Sequence, residues 1–350
     1  MTAEPTNPPV QKAAAATRPR LRPLDYVVRF QSLLGLILVI VGGVAFSPRR
    51  HGHILFLQPD NIANIVRSIS ETGILALGMT FVIIAAGIDL SVGAVLGLSS
   101  VLTAALLINA GWGLWTTLPL VLVCATLFGL AQGAISTRLH VQAFIVTLAG
   151  LQAARGLALI ASGNEFININ YGSGPGNAPP AFAVLGERLF YDTFPVATLV
   201  FVVLAVMATF VLNHTRYGRY VFAVGGNERA ARLSGIPVEW IKISVYGLTG
   251  LCSGVAGIVH AGQFAFGSPT DGTGYELNAI AAVVIGGTDL FGGAGTMIGT
   301  IAGAVMLGAL ANVLQLNDVS AAMQLLATGA IIVAAAALQT YVGRRDGRSR

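Results

Sequence analysis

The stretch GMTFVIIAAGIDLSVGAVLGLSS at residues 78–100 is apolar on both sides of a short turn, GID at residues 87–89. The apolar run before the turn reaches back to residue 62, and the run after it continues to residue 108. A helix needs about 20 apolar residues to cross a hydrocarbon core of roughly 30 Å. The stretch therefore predicts two adjoining membrane-spanning helices joined by a tight turn.

The composition of the whole chain agrees with this prediction. Of 350 residues, 55% are hydrophobic and 10% are charged, whereas soluble domains carry about 25% charged residues. The 43 glycines fall mostly inside the apolar runs, where small residues let neighbouring helices approach closely. The composition excludes an ordinary soluble domain and indicates tightly packed membrane helices.

Ten apolar segments can be assigned as spans, and the eighth is short. In chain order they cover residues 27–46, 62–86, 90–108, 115–136, 144–161, 194–212, 243–263, 277–288, 296–314 and 321–341. With the N-terminus inside, most of the 20 basic residues lie in connections on the inner side, as the positive-inside rule requires. The sequence predicts an all-α, polytopic transmembrane bundle of about ten spans with both termini in the cytoplasm.

The remaining segments divide into tails and connections. Residues 1–26 are predicted as a disordered basic cytoplasmic tail, residues 27–342 as the transmembrane domain, and residues 343–350 as a second basic cytoplasmic tail. The net charge of +5 follows from these inner basic residues. We therefore expect membrane lipid, and not nucleic acid, to surround the chain.

Two connections are long. The predicted external loop at residues 162–193 is polar and rich in turn residues, which suits contact with an external partner but equally suits an ordinary solvated loop. The predicted cytoplasmic connection at residues 214–242 contains GGNERAARLSG. Within it, Asn227 suits a helix N-cap, Glu228 its first turn and Gly235 its end. We name residues 226–235 the knob; it suits docking into a partner's groove, or it is a simple connector.

A short pattern occurs twice in the chain. Residues 87–94 read GIDLSVGA and residues 287–294 read GTDLFGGA, so GxDLxxGA repeats at Gly87, Asp89, Gly93, Gly287, Asp289 and Gly293. The repeat indicates internal symmetry of the kind found in transport proteins, or chance convergence of turn chemistry. We interpret both aspartates as helix caps rather than catalytic acids. Because non-helical backbone at membrane depth must be buried or line a water-filled cavity, we expect both copies near a path.

Reactive groups are few. The sequence contains neither HExxH nor GxSxG, nor the phosphate-binding pattern GxxxxGK[ST]. Apart from the two aspartates of the repeat, we assign three ionisable residues to spans or their ends: Arg155, His260 and Glu276. They do not include the paired acids that ion-coupled transport normally needs. We predict no enzyme activity and no cofactor on this chain, so ATP, if it drives transport, must bind another chain.

Three further stretches complete a recognisable series. They are VQAFIVTLAGLQAARGLALIASG at residues 141–163, TRYGRYVFAVGGNERAARLSGIPV at residues 215–238 and GYELNAIAAVVIGGTDLFGGAGTMIGT at residues 274–300. Together with residues 78–100, they resemble the permease subunit of the bacterial ATP-binding-cassette importers for ribose, xylose, arabinose, galactose and related solutes. The resemblance covers most of the chain from about residue 61 onward.

The resemblance implies a function and its partners. It implies an importer for a monosaccharide or related polyol in the bacterial inner membrane. In the implied assembly, two copies of this chain form a homodimer with cytoplasmic ATPase domains, which bind ATP and Mg. An external or periplasmic solute-binding protein delivers the solute. In such importers the loop after the sixth span couples to the ATPase. Here that loop holds Gly226, Asn227, Glu228, Arg229, Ala230, Ala231, Arg232, Leu233 and Gly235. Arg229 stands where members of the family usually have glutamate.

The solute path is the least determined feature of the sequence. A path for a polyol needs weak, replaceable hydrogen bonds, and candidates to line it are Ser91, Phe144, Thr147, Gln263 and Asn278. Helix packing is the alternative role for each of them. Arg155 suits pairing with a carbonyl group or reaching toward a surface. Alternative functions are a nucleoside or autoinducer permease of the same superfamily and an ion-coupled secondary carrier.

Overall fold

The computed structural model of the chain describes residues 31–189 and 194–345. The predicted tail at residues 1–26 lies outside the described residues, as do residues 27–30 of the first predicted span. The same holds for residues 190–193 of the predicted external loop and residues 346–350 of the predicted C-terminal tail.

The described residues are predominantly helical. The helices are α1 (Gln31–Phe46), α2 (Pro59–Ile84), α3 (Val92–Ala104), α4 (Leu114–Arg138), α5 (Ala143–Ser162), α6 (Val196–His214), α7 (Arg216–Gly226), α8 (Glu228–Leu233), α9 (Val238–Phe264), α10 (Tyr275–Ile285), α11 (Met297–Leu316) and α12 (Ala321–Arg345). A π-helical turn, Ala105–Asn109, extends α3. Each predicted span coincides with one helix, while α7 and α8 lie in the predicted cytoplasmic connection.

Short strands supplement the helices. Each has two residues: β1 (Arg49–Arg50), β2 (His53–Ile54), β3 (Ile167–Asn168), β4 (Arg188–Leu189), β5 (Phe194–Pro195) and β6 (Phe266–Gly267). They form three antiparallel pairs, β1 with β2, β3 with β6, and β4 with β5. The strands tie connections together and leave the bundle helical in character.

Seven helices of the described part are long and apolar enough to cross a membrane. They are α2, α3 with its π-helical turn, α4, α5, α6, α9 and α11. The shorter apolar stretches Leu33–Phe46, Tyr275–Ile285 and Ala321–Ala334 belong to α1, α10 and α12. A multi-pass membrane fold is therefore confirmed, while the number of crossings and the side of each terminus stay predictions.

Helices α2 and α9 occupy the centre of the bundle, and most of their residues are buried. Glycines bring α4 against α9: a Cβ atom added at Gly129 would collide with the carbonyl oxygen of Tyr246, and one added at Gly250 with that of Ala125. Because these residues have no large side chains, the backbones of the two helices contact each other directly. The glycines inside the apolar runs thus serve packing, as the composition indicated.

The outer face of the bundle is apolar. Before its last two residues, Asn213 and His214, α6 exposes only apolar side chains: Leu199, Val202, Val203, Val206, Met207 and Phe210. A helix with such a face satisfies its backbone internally and presents hydrocarbon to its surroundings, as a lipid-facing helix must. This face is the reference for the more polar surfaces described below.

The chain between α9 and α10 turns back into the bundle. Helix α9 ends at Phe264, and Ala265 has a left-handed backbone conformation with φ of 55°. Residues 266–274, which we name the re-entrant segment, then run beside α3 without forming a helix: Gly267 contacts the backbone of Ser100, and Gly272 contacts that of Gly93. Helix α10, which has 11 residues, begins directly after the re-entrant segment.

The predicted external loop packs onto the same end of α9. Strand β3 pairs with β6 of the re-entrant segment, and the amide of Ile169 donates to the carbonyl oxygen of Ala265 at 2.8 Å. A 3₁₀ helix, Pro180–Gly186, lies against α9 through Leu185 and Gly262. The described part of this loop is therefore joined to the bundle rather than only solvated.

Helices α9 and α12 extend beyond the spans that the sequence predicted. The seventh span was placed from residue 243, whereas α9 begins at Val238, directly after Pro237; Glu239 and Lys242, which made the segment look like a connection, lie in its first turns. The tenth span was placed up to residue 341, whereas α12 continues to Arg345; the assignment of residues 343–350 to a cytoplasmic tail stays a prediction.

Candidate functional site

The knob contains the short helix that the sequence predicted. The side chain of Asn227 accepts a hydrogen bond from the amide of Ala230 at 2.9 Å, and Glu228 opens helix α8. After the helix, Gly235 has φ of 79°, a conformation that glycine adopts without a Cβ penalty. The N-cap, the first turn and the end of this helix are confirmed, while its docking role is untested.

Glu228 connects the knob to the bundle. Its carboxylate oxygens are 3.1 Å from Arg232 on α8 and 3.1 Å from Lys242 on α9. Partial burial acts to raise the pKa of Glu228, but the hydrogen bonds and charges of Lys242 and Arg232 lower it below its ordinary value. Arg229 and the 85% exposed Leu233 lie one helical turn apart on α8 and face outward. The knob is thus anchored on one side and exposed on the other.

The two GxDLxxGA turns and the knob meet at one end of the bundle, which we name the knob end. The amide of Gly293 donates to the carbonyl oxygen of Ile84 at 2.8 Å. Gly225, the penultimate residue of α7, lies so close that an added Cβ would collide with the same oxygen. Gly292 packs against Ala86. Backbone groups, rather than long side chains, therefore form this junction.

The first turn is part of the core. Asp89 is buried, and its Oδ1 accepts from the amide of Ser91 at 2.9 Å and from its hydroxyl at 2.7 Å. Gln132 on α4 donates to the Ser91 hydroxyl at 2.9 Å, and Thr147 on α5 donates to the carbonyl oxygen of Ile88 at 3.3 Å. Burial raises the pKa of Asp89 to about 6, although both hydrogen bonds from Ser91 oppose the shift. Ser91 is the N-cap residue of α3, so Asp89 holds the residue that precedes the helix, and the predicted bond from Asp89 to an amide of the helix's first turn is not seen among the described residues.

The second turn differs in position and role. Asp289 is exposed, and its Oδ1 accepts only from the amide of Phe291, at 2.9 Å. Helix α11 begins later, at Met297, and Thr296 caps it by accepting from the amide of Gly299. The prediction that Asp289 caps a helix is wrong, because the turn closes on itself before the helix begins.

A cleft of about 490 Å³ opens at the knob end. Its walls come from the first turn, the α4–α5 connection, the knob and the first turns of α9, including Ile88, Phe144, Glu228 and Tyr246. The cleft has both polar and apolar walls. It brings one predicted path residue, Phe144, beside Glu228 and Arg232 of the knob.

The five predicted path residues do not form one group. Ser91, Phe144 and Thr147 lie around the first turn at the knob end. Gln263 lies near the opposite end of α9, where Arg67 donates to its side-chain oxygen at 3.3 Å and to its backbone oxygen at 3.1 Å. Asn278 is half-buried in the first turn of α10. Their role in a path stays a prediction.

Arg155 and His260, which the sequence analysis named singly, lie together with Glu71 and Asp271, which it missed. We name these four residues the charge cluster. Nδ1 of His260 is 2.8 Å from Glu71, and Nε2 is 3.3 Å from Asp271 without hydrogen-bond geometry. Glu71, His260 and Asp271 are all buried. Burying a charge is costly unless the charge is paired. A glutamate inside the second apolar run, Glu71, was therefore the signal in the sequence that a buried partner exists.

Arg155 and Asp271 tie the charge cluster to the re-entrant segment. The guanidinium of Arg155 donates to the carbonyl oxygens of Pro269 and Asp271, the second at 2.8 Å. Oδ2 of Asp271 accepts from the hydroxyl of Ser100 and from the amide of Ser268, both at 2.8 Å. Of the two roles expected for Arg155, pairing with carbonyl groups is the one observed.

Comparison with known proteins places this architecture. A family model described as branched-chain amino acid transport system / permease component matches residues 61–336. The chain belongs to this permease family. No solved structure matches it significantly.

Several sugar permeases are similar to this permease over nearly their whole length. It is 37% identical to the ribose import permease protein RbsC of Haemophilus influenzae over 320 residues, which cover 91% of this chain and 95% of the relative. RbsC of Escherichia coli is 39% identical over 319 residues, 89% of this chain and 93% of the relative. The xylose transport system permease protein XylH of Escherichia coli is 33% identical over 343 residues, 83% and 87% of the two chains.

The permease assignment fits the site. A transport component needs an internal route and a surface that receives motion, and it needs no catalytic group. In this permease the knob, the two turns and the cleft share one end of the bundle, and the charge cluster lies deeper inside. Since the matching family and relatives are named as permeases, the chain is a transporter component.

Proposed function

We propose that this permease is the membrane-spanning subunit of an ATP-driven importer for a monosaccharide or related polyol. The observation that carries the proposal is its similarity, over most of both chains, to permeases named for ribose and xylose. The absence of a phosphate-binding loop in the sequence supports a separate ATPase subunit, which binds ATP and Mg. The nucleoside, autoinducer and ion-coupled alternatives are not favoured.

The proposed assembly follows the family resemblance. Two copies of the permease enclose the solute path, the knob of each copy contacts an ATPase domain, and a solute-binding protein delivers the sugar from outside. The exposed face of α8, with Arg229 and Leu233, supports the knob contact. The described part of the predicted external loop, which is paired with the re-entrant segment through β3 and β6, supports contact with the binding protein.

The proposed topology has ten crossings in the bacterial inner membrane with both termini in the cytoplasm. The distribution of basic residues supports it, since Arg138, Arg216, Arg219 and Arg232 lie at or next to the knob end. In this orientation the knob and both GxDLxxGA turns face the ATPase.

Uptake in cells tests the proposal. A strain that lacks its own ribose and xylose permeases receives this permease together with the ATPase and binding protein encoded beside it. We expect uptake of radiolabelled D-ribose or D-xylose that disappears when the nucleotide site of the ATPase is inactivated. Uptake that persists with the inactive ATPase, and stops when ion gradients are collapsed, would contradict the proposal.

A further inference from the structure

We propose that the re-entrant segment carries solute-contacting residues of the path, and that the hydroxyl groups of Thr270 and Thr273 are the contacts. The inference rests on the proposed function, since it assumes that a solute passes through this permease. The ligand class that it predicts is a neutral, polyhydroxylated molecule.

The depth of the segment is the first step. Asp271 is hydrogen bonded to Ser100, which lies near the middle of α3 and its π-helical turn. His260, the neighbour of Asp271, contacts Glu71 near the middle of the 26-residue helix α2. Positions in the middle of spanning helices lie within the hydrocarbon layer. The re-entrant segment therefore places non-helical backbone at membrane depth.

The exposure of the segment is the second step. Asp271 and Gly272 are buried, whereas Thr270 and Thr273 on either side of them are exposed. Irregular backbone at membrane depth is tolerated only where it is buried in protein or lines a water-filled cavity. On α6, by contrast, the exposed side chains from Leu199 to Phe210 are apolar. The face that bears the two threonines therefore borders water rather than lipid.

The hydroxyl groups on this face remain able to bind a solute. The Thr273 hydroxyl donates to the carbonyl oxygen of Thr270 at 2.6 Å, and the hydroxyls of Thr270 and Ser268 are 2.9 Å apart. A hydroxyl that donates once can still accept further hydrogen bonds. Such weak and replaceable bonds suit a solute that must also leave.

The charge cluster fixes the segment from behind. Arg155 holds the carbonyl groups of Pro269 and Asp271, and the carboxylate of Asp271 is held by Ser100 and Ser268. These charged groups are paired within the protein, so the exposed face presents neutral hydroxyls. We infer that Arg155 and Asp271 are positioning residues, and that the face suits a neutral polyol better than a sugar phosphate.

Transport by the complete importer tests the contact. Thr270→Val and Thr273→Val remove one hydroxyl each and keep the side-chain shape; Thr209→Val on α6, whose hydroxyl bonds only its own helix at Ala205, is the matched control. With saturating binding protein, each of the first two variants is expected to slow D-ribose uptake about threefold to tenfold, the effect of losing one neutral hydrogen bond. It should also alter the ratio of D-ribose to D-xylose uptake.

The outcomes separate the two proposals. If the unaltered importer moves neither sugar with ATP, the proposed function fails. If it does transport, but Thr270→Val and Thr273→Val match Thr209→Val in rate and sugar ratio, the assignment of the segment fails and the permease function stands.

Chemical labelling provides an independent readout. In a Cys124→Ser, Cys252→Ala background, we introduce Thr270→Cys, Thr273→Cys or, as control, Thr209→Cys and treat the assembled importer with a water-soluble maleimide. We expect the first two thiols to react at least about tenfold faster than the control, because thiolate chemistry needs water, and D-ribose to slow their reaction. Equal rates at all three positions would overturn the inference.

Discussion

The two GxDLxxGA turns have the same local hydrogen bond and very different surroundings. In each, the aspartate accepts from the amide two residues later at 2.9 Å, Ser91 in the first copy and Phe291 in the second. Asp89 is 1% exposed and joins a chain of hydrogen bonds that reaches Gln132 on α4. Asp289 is exposed and has only its turn contact among the side-chain hydrogen bonds of the described residues.

The difference shows that the motif determines the local turn, whereas the position of the turn in the fold determines how much it stabilises the protein. The pattern GxD sets the turn, because a short carboxylate can satisfy the amide that the turn leaves free. The energetic weight of the turn depends on burial, since an unsatisfied buried polar group costs far more than an exposed one. The first copy should therefore tolerate substitution poorly and the second copy well.

The junction where α7 meets the end of α2 and the second turn should show the largest effect. Gly225→Ala places a methyl group against the carbonyl oxygen of Ile84, which also accepts from Gly293. We expect a loss of about 3 kcal/mol of stability, near the upper end for overpacking, measured as the thermal midpoint of the purified permease. Gly226→Ala is the control, because the nearest atom to its added Cβ is 4.0 Å away; equal midpoints for both variants would show that this junction does not stabilise the fold.

The aspartates come next. Asp89→Ala leaves buried donors of Ser91 without an acceptor, at an expected cost of about 1–3 kcal/mol. Asp289→Ala removes an exposed carboxylate, with an expected change within about 0.5 kcal/mol. Chemical denaturation of both variants in the same detergent measures the contrast. A loss for Asp289→Ala as large as that for Asp89→Ala would refute the distinction between a core turn and a surface turn.

The chain of hydrogen bonds behind the first copy has a smaller effect. Gln132→Leu removes the donor to the Ser91 hydroxyl and keeps similar volume, so we expect a loss of about 1 kcal/mol. Gln152→Leu, on the exposed side of α5, is the matched control and should leave the midpoint unchanged. If Gln132→Leu is as stable as the control, the first copy is not reinforced through α4.

The smallest effect on stability is expected at Phe291, which is 76% exposed beside Glu228 of the knob. Phe291→Ala should change stability by no more than about 0.5 kcal/mol. We expect it to lower the amount of sugar moved per ATP hydrolysed, because the side chain lies where the knob meets the second turn. If Phe291→Ala moves as much sugar per ATP as the unaltered permease, the second copy does not transmit motion from the knob. Ile298→Ala, at an exposed position beyond this contact, is the control.

The sequence predicted the regular parts of the fold well. The lengths of the apolar runs predicted where the long helices lie. The capping residue Asn227 and the terminating residue Gly235 predicted α8 between them. These features depend on neighbouring residues along the chain, so their physical causes are visible in the sequence. The boundaries at Val238 and Arg345 were missed because charged residues continue into helices at membrane surfaces.

The re-entrant segment could not be predicted in the same way. Residues 266–274 read FGSPTDGTG, a composition that is typical of an external turn. Only the tertiary structure shows that Asp271 meets His260 and Arg155 inside the bundle. The prediction for Asp289 failed for a similar reason: the turn motif does not determine how many residues separate the turn from the next helix.

Reconstitution tests the central claim most directly. The purified permease is inserted into liposomes with or without its ATPase, in the presence of the binding protein and radiolabelled D-ribose, and accumulation is followed after ATP is supplied to the ATPase side. The account predicts accumulation against a gradient only when permease, ATPase and ATP are all present. Accumulation by the permease alone, or failure of the permease to form a complex with the ATPase, would contradict it.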